Sequence, residues 1–106
     1  MSQAQAIDTE TVDELLAMVK RDPHRPGPAF ARLVELERPV WAIIMHLQSF
    51  RGLEDAARAS EADIADAANA YVVPRQAVRA AIAYYVKHRR SVDAFLLLNS
   101  ESFDED

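Results

Sequence analysis

The chain of 106 residues has no cysteine, so disulfides and thiolate metal sites are excluded. It has only two glycines, Gly27 and Gly52, too few for a turn-rich all-β fold. Long apolar runs are missing as well. The longest, "VWAIIM" and "AFLLL", are far too short to cross a bilayer. The opening "MSQAQAIDTETVDELL" has no basic start and no apolar stretch of signal-peptide length, so the expectation is a cytoplasmic protein without a membrane role. The three histidines, His24, His46 and His88, are scattered with no ligand spacing, and no metal or other cofactor is expected. No Gly-rich phosphate loop occurs, and Ser49, Ser60, Ser91, Ser100 and Ser102 lack a nucleophile-elbow context. Asp63 and Asp66 read as solvated acids on one helix. An enzyme is therefore the poorest reading.

What is present favours helices. Half of the residues are apolar, many of them alanine. One domain with one modest core fits the length. The net charge is −5, yet Pro74 to Arg90 holds Arg75, Arg79, Lys87, Arg89 and Arg90 with no acid, a local +5 that leaves −10 on the rest. Net charge argues against non-specific nucleic-acid binding, while local charge argues for one directed face.

Along the chain, Asp8 to Lys20 reads as a first helix, capped by Asp8 or Thr9, with Val12, Leu15, Leu16 and Val19 on its apolar face. "RDPHRPGPAF" holds three prolines and a glycine and reads as a linker. "AFARLVELER" fits either a short helix or a strand-like arm. Pro39 suits the start of the central helix, whose inner stripe is Val40, Ile43, Ile44 and Leu47, widened by Trp41, Met45 and Phe50. Gly52 breaks that helix, and Leu53 to Ala59 forms a short helical piece. Ser60 and Asp63 form a variant capping box for a helix over Glu61 to Tyr71, with Ile64, Ala67, Ala68 and Tyr71 inward. After "VVP" a long helix runs from about Pro74 to Arg90. It either restarts at Ser91 or continues through Leu98. The organisation expected is an N-terminal helix and linker over 1–38, a helical domain over 39–98 and a frayed acidic tail over 99–106.

The two helices about "YVVP" fit a helix-turn-helix pattern, in which the second helix enters the major groove. Ala68 is the small residue that permits close packing, Val72 and Val73 the turn, and Val78 the inward anchor, with Ile64 and Ile82 beside it. The turn position often given to glycine is Val72, and β-branched residues resist positive φ. Either the turn has another shape or the pair is an unrelated helical hairpin. On the long helix Ala77, Val78, Ala81, Ile82 and Tyr85 face one side, and Arg75, Gln76, Arg79, Lys87 and Arg90 the other. Arginine and glutamine in the first turns suit base readout, Arg75, Gln76 and Arg79 here. Lys87, Arg89 and Arg90 suit phosphates. The bland alternative is a solvated basic face balanced by acids elsewhere, with "KHRR" and His88 favoured by the helix dipole.

Two further features point to protein partners. Of the adjacent Tyr84 and Tyr85, one is expected in the core and the other, taken as Tyr84, at an interface, the alternative being both half-buried within the monomer. Phe95, Leu96, Leu97 and Leu98 cannot all face one core, so Phe95, Leu97 and Phe103 are candidates to meet a partner. The alternative docks Phe95 and Leu98 on Leu15, Leu16 and Val19.

From Pro39 onward, "RPVWAIIMHLQ" and "AYVVPRQAVRAAIAYYVKHRRSVDA" resemble the small bacterial proteins of the domain-of-unknown-function 433 family. Val40, Trp41, Tyr71, Pro74, Val78, Ala81, Ala83, Tyr84, Tyr85, His88, Arg89 and Asp93 fall on its pattern, and the resemblance spans about half of the chain. The family's Gly-rich hairpin before the first core helix is poorly matched by "AFARLVELER", and the segment between the two helices is longer here. The resemblance implies a helix-turn-helix or winged-helix-like fold and an antitoxin role beside a toxin, often a PIN-type ribonuclease. The combined expectation is an all-α domain, a homodimer that binds operator DNA and a toxin. The competing one is an interaction or dimerisation module with no nucleic-acid role.

Overall fold

A computed structural model describes residues 12–25 and 27–104, with side chains through Leu98. Within it five α-helices and one two-stranded sheet enclose a single core. The helices are α1 (Val12–Leu16), α2 (Val40–Ser49), α3 (Glu61–Tyr71), α4 (Arg75–Lys87) and α5 (Arg89–Asp104). The strands are β1 (Val19–Lys20) and β2 (Arg32–Leu33), and single 3-10 turns lie at Pro28–Phe30 and Ala56–Arg58. The fold is a small all-α domain carrying a short β arm.

The arm settles the ambiguity of "AFARLVELER" on the side of a strand. β1 and β2 run antiparallel, with Val19 opposite Leu33 and Lys20 opposite Arg32. This shortens the first helix, which was expected to reach Lys20. After Leu16 the Met18 N–H bonds to Leu15 O, tightening the last turn. Met18 O then accepts from Val34 N–H at 2.7 Å. Pairing with β2 satisfies backbone groups that would otherwise extend the helix, a tertiary contact overriding local periodicity. The Asp8 and Thr9 caps lie outside the described residues.

α2 is the centre, as its apolar stripe implied. Ile43, Ile44 and Leu47 are fully buried and Val40 nearly so. They meet Ala67 of α3, Ala77, Val78, Ala80 and Ala81 of α4, Val92 of α5 and Leu33 of β2 in one cluster. Leu33 places part of segment 1–38 inside the core. Phe50, expected to widen the stripe, is instead exposed and stacks on the His46 ring at 5.1 Å. It follows the last turn of α2, where the chain leaves for Gly52 at φ 70°.

The long basic helix is broken. His88, at φ −122° and ψ 38°, ends α4, and α5 starts at Arg89. The break turns Val92 fully inward. It also carries Phe95 onto Phe30 and Trp41, at ring separations of 5.0 and 5.3 Å. Phe95 therefore docks, but on the Pro28–Phe30 turn and α2 rather than on the first helix. Leu98, expected to dock with it, is 64 % exposed. The expected frayed tail is helical through Asp104. The side chain of Phe103 lies outside the described residues.

Both tyrosines lie inside the domain. Tyr84 is 7 % and Tyr85 2 % exposed. The Tyr84 hydroxyl donates to Pro28 O at 2.9 Å and that of Tyr85 to Asp93 at 2.7 Å. Buried hydroxyls need such partners, and having them lets both rings enter the core. Tyr84 is thus unavailable as an exposed interface residue. Burial pushes Tyr85 up to about 12, assisted by its bond to Asp93.

Asp63 and Asp66 are likewise not simply solvated. Asp63 is buried, accepts from the Ser60 N–H and hydroxyl, and accepts from Arg51 Nε at 2.9 Å. His46 Nε2 donates to Asp66 at 2.8 Å. The Ser60 N–H, then Arg51, holds the Asp63 carboxyl below its ordinary range. The network ties the start of α3 to the end of α2.

Candidate nucleic-acid interface

The helix pair about "YVVP" starts from a reciprocal capping box. Ser60 Oγ accepts from the Asp63 N–H, and Asp63 accepts from the Ser60 N–H. α3 then runs to Tyr71, whose hydroxyl donates to Ala42 O of α2 at 3.0 Å. This bond fixes the far end of α3 on the core.

The turn follows a left-handed helix cap. Val72 sits at φ 57° and ψ 52°. The Val73 N–H bonds back to Ala68 O at 3.0 Å and the Val72 N–H to Asn69 O at 3.4 Å. These two bonds define a Schellman motif, whose left-handed residue is usually glycine. Valine takes that left-handed conformation here, so the turn has the shape usually given to glycine, and the reluctance of a β-branched residue, from which both alternatives were drawn, is overcome. Val73 is buried as the apolar residue that accompanies such caps. Pro74 precedes the first turn of α4, with its fixed φ suited to a helix start. Ala68 and Val78 are both buried, so α3 and α4 pack through the small residue and the anchor.

The outer face of α4 begins with Arg75 and Gln76, both exposed. Arg79, one turn on, is half-buried and its Nη2 donates to Glu61 Oε1 at 2.7 Å. Glu61 opens α3, so this ion pair closes the outer side of the helix pair. Ala83 is half-buried and Val86 exposed on the same face. Lys87 is exposed at the end of α4.

The break at His88 separates Arg89 and Arg90 from that face. Arg89 turns inward, with Nη1 3.0 Å from Asp55 Oδ1 and its guanidinium 4.9 Å from the Tyr85 ring centre. The Ala57 N–H, then Arg89, lowers the Asp55 pKa. Arg90 is exposed on α5. Among the described residues Lys87 and Arg90 have no acidic partner, and with Val86 and Ser91 they line a shallow cavity of about 290 Å³.

His88 departs from its expected role as a cationic residue at a helix end. It is half-buried with its ring 4.4 Å from that of Tyr84. Burial, then the charges of Arg21 and Lys87, lowers its pKa and favours the neutral ring. Arg21 thus belongs to the basic surroundings of α4, although it lies far away in sequence.

Of the predicted DNA-facing set, Arg75, Gln76, Lys87 and Arg90 are exposed, Arg79 is tethered to Glu61, and Arg89 is absorbed by Asp55 and Tyr85. Of the predicted partner-facing set, Leu97 is 60 % exposed, while Phe95 packs on Phe30 and Trp41. Among the described residues no group of three or more His, Asp or Glu converges as a metal site, and no helix is long and apolar enough to cross a membrane. The chain matches no family model, no curated protein and no solved structure, so the family resemblance from Pro39 onward rests on the quoted residues alone.

Proposed function

We propose that the chain is a DNA-binding regulator of antitoxin type, acting as a homodimer in the cytoplasm without a cofactor and without catalysis of its own. The observation that carries this reading is the left-handed cap at Val72. It joins α3 to α4 through a tight turn, which a helix-turn-helix needs, and leaves Arg75 and Gln76 exposed at the start of the second helix. In this reading Arg75 and Gln76 meet base edges in the major groove. Arg79 joins them by exchanging Glu61 for the DNA. Lys87 and Arg90 meet phosphates, and Arg89 supports the fold rather than the DNA. The exposed side of α5 around Leu97 is the surface for a protein partner, with a PIN-type ribonuclease toxin as the class the family resemblance implies.

The test is fluorescence anisotropy of the purified protein against its own upstream DNA and a scrambled duplex, over a series of salt concentrations. Tighter binding to the upstream DNA is expected. The four cations Arg75, Arg79, Lys87 and Arg90 give a slope of log affinity against log salt of about −3.6 per protomer. Arg75→Ala is expected to cost about 1–3 kcal/mol of discrimination without altering the fold. Equal and feeble binding to both duplexes refutes the proposal.

A second reading is favoured by the ion pairs of Arg79 with Glu61 and Arg89 with Asp55. They neutralise two of the five basic residues within the domain, as an interaction module with no nucleic-acid role requires. That reading predicts that binding to any duplex vanishes at modest salt.

A further inference from the structure

Arg79 follows Arg75 by four residues and Gln76 by three, so all three share one side of α4. Its Nη2 donates to Glu61 Oε1 at 2.7 Å, with the Arg79 side chain 38 % and that of Glu61 68 % exposed. One nitrogen meets one oxygen, where a guanidinium and a carboxylate are able to form a two-bond fork. Two other arginines of the domain are held more firmly. Arg89 has Asp55, the Tyr85 ring and the Tyr85 hydroxyl as partners. Arg51 donates to Asp63, whose side chain is only 13 % exposed. A single bond open to water, as between Arg79 and Glu61, is weak enough to be exchanged.

Glu61 opens α3, and it is the acid that meets Arg79 there. The other acids of α3 are engaged elsewhere. Asp63 accepts from Ser60 and Arg51, and Asp66 meets His46 and, at 3.8 Å, Arg51. The Glu61 carboxylate and a DNA acceptor exclude each other at the same guanidinium nitrogen. Releasing Arg79 also leaves Glu61 as an unpaired negative charge on α3, the helix that crosses the phosphate backbone in a helix-turn-helix. Like charges brought together oppose association. Both effects vanish when the carboxylate is removed.

We propose that Glu61 is an autoinhibitory contact, which holds Arg79 in place of DNA in the free protein. It keeps the affinity of the domain below what Arg75, Arg79, Lys87 and Arg90 together would give. This contact rests on the DNA reading of α4 and supplies the regulation of that site. Guanine O6 and N7, or two phosphate oxygens, offer Arg79 a fork in exchange for one bond, so the exchange goes forward on DNA. The net gain is smaller by the cost of releasing Glu61. Arg89, with three partners of its own, takes no part in the exchange.

Glu61→Gln tests it, by fluorescence anisotropy against the upstream and scrambled duplexes over a salt series. Glutamine keeps the shape and removes the charge, while Ser60 and Asp63 keep the capping box. Circular dichroism checks the fold of each variant. Affinity for the upstream DNA is expected to rise about fivefold. The slope of log affinity against log salt is expected to stay at about −3.6, since the same four cations meet the DNA in both proteins. Arg79→Ala removes the group through which Glu61 acts and is expected to bring the slope to about −2.7. In that background Glu61→Gln is expected to gain about twofold at most, so the two changes are not additive. An affinity for upstream DNA that Glu61→Gln leaves unchanged or lowers overturns the proposal, while a wild-type preference for upstream DNA keeps the DNA reading. An equal gain in the Arg79→Ala background also overturns it, because Glu61 then repels phosphates without holding Arg79. Equal and feeble binding of both duplexes, by wild type and by Glu61→Gln, refutes the DNA reading and the autoinhibitory contact with it.

Discussion

Val72→Gly should stabilise the protein, although it removes an apolar side chain. Val72 is a β-branched residue in the left-handed region, with φ 57° and ψ 52°. A left-handed conformation costs an L-residue about 1–2 kcal/mol, and a β-branched one belongs at the upper end. Against that relief stand two losses. Glycine gains freedom in the unfolded chain, worth about 0.7 kcal/mol here. Val72 is 80 % exposed, so its small buried fraction contributes only about 0.5 kcal/mol. The balance is a gain of about 0.8 kcal/mol, or a rise of about 4 °C in Tm for a domain of this size. Urea unfolding followed by fluorescence is the assay, because Trp41 is the one tryptophan and touches Phe95 in the core. Val72→Ala is the control. It keeps the left-handed penalty, so it should gain less than glycine does. A glycine variant less stable than wild type, or an alanine variant equal to it, refutes the assignment of strain to this turn.

Other substitutions probe the remaining contacts. Ser60→Ala removes the hydroxyl half of the capping box and should cost about 1 kcal/mol in the same urea assay. Phe95→Ala should cost about 2 kcal/mol and shift Trp41 emission, since the ring is half-buried between Phe30 and Trp41. Leu97→Ala should leave the stability of the monomer within about 0.5 kcal/mol, because Leu97 is a surface residue. His88 gives a signed pH effect. Its folded pKa lies below the ordinary 6.5, so the unfolded chain binds its proton more readily. The stability it supports is complete above 6.5 and declines as pH falls from there through the lowered folded value. The urea midpoint of His88→Gln should lack that part of the decline.

How the fold could be read from the sequence depends on how local its causes are. The capping box of Ser60 and Asp63 spans three residues, and the helix Glu61 to Tyr71 was legible with both its ends. The stripe Val40, Ile43, Ile44 and Leu47 repeats at helical spacing, and all four are buried. The early end of α1 was not legible. It depends on Val19 pairing with Leu33 across a proline-rich linker, and helical periodicity carries no trace of that. A restart at Ser91 was one of the two alternatives, but the exact place of the break, at His88, was hidden for a related reason. No glycine or proline marks it, and its cause is the docking of Val92 and Phe95 on distant elements. The same holds for the tyrosines, whose hydroxyls find partners at Pro28 and Asp93.

The candidate site was legible as a composition and hidden as an electrostatic arrangement. A run of five bases without an acid can be seen in "PRQAVRAAIAYYVKHRR", but their partners cannot. Arg79 finds Glu61 18 residues earlier, and Arg89 finds Asp55 34 residues earlier. The acidic remainder of the chain therefore does two separate things with the basic segment. It neutralises Arg79, where α4 meets the start of α3, and Arg89, beside the Ala56–Arg58 turn. It leaves charge at the two ends, Arg75 at the start of α4 and Lys87 with Arg90 at its junction with α5. Charge left only at the ends is ill suited to non-specific adhesion, which profits from a continuous basic surface. It suits an element that touches its target at two separated places. One end of α4 offers a fork-shaped donor beside a glutamine amide. The other offers two cations beside a bare apolar helix. Arg75→Ala alters the first end alone and Lys87→Ala the second alone, so the two can be tested separately.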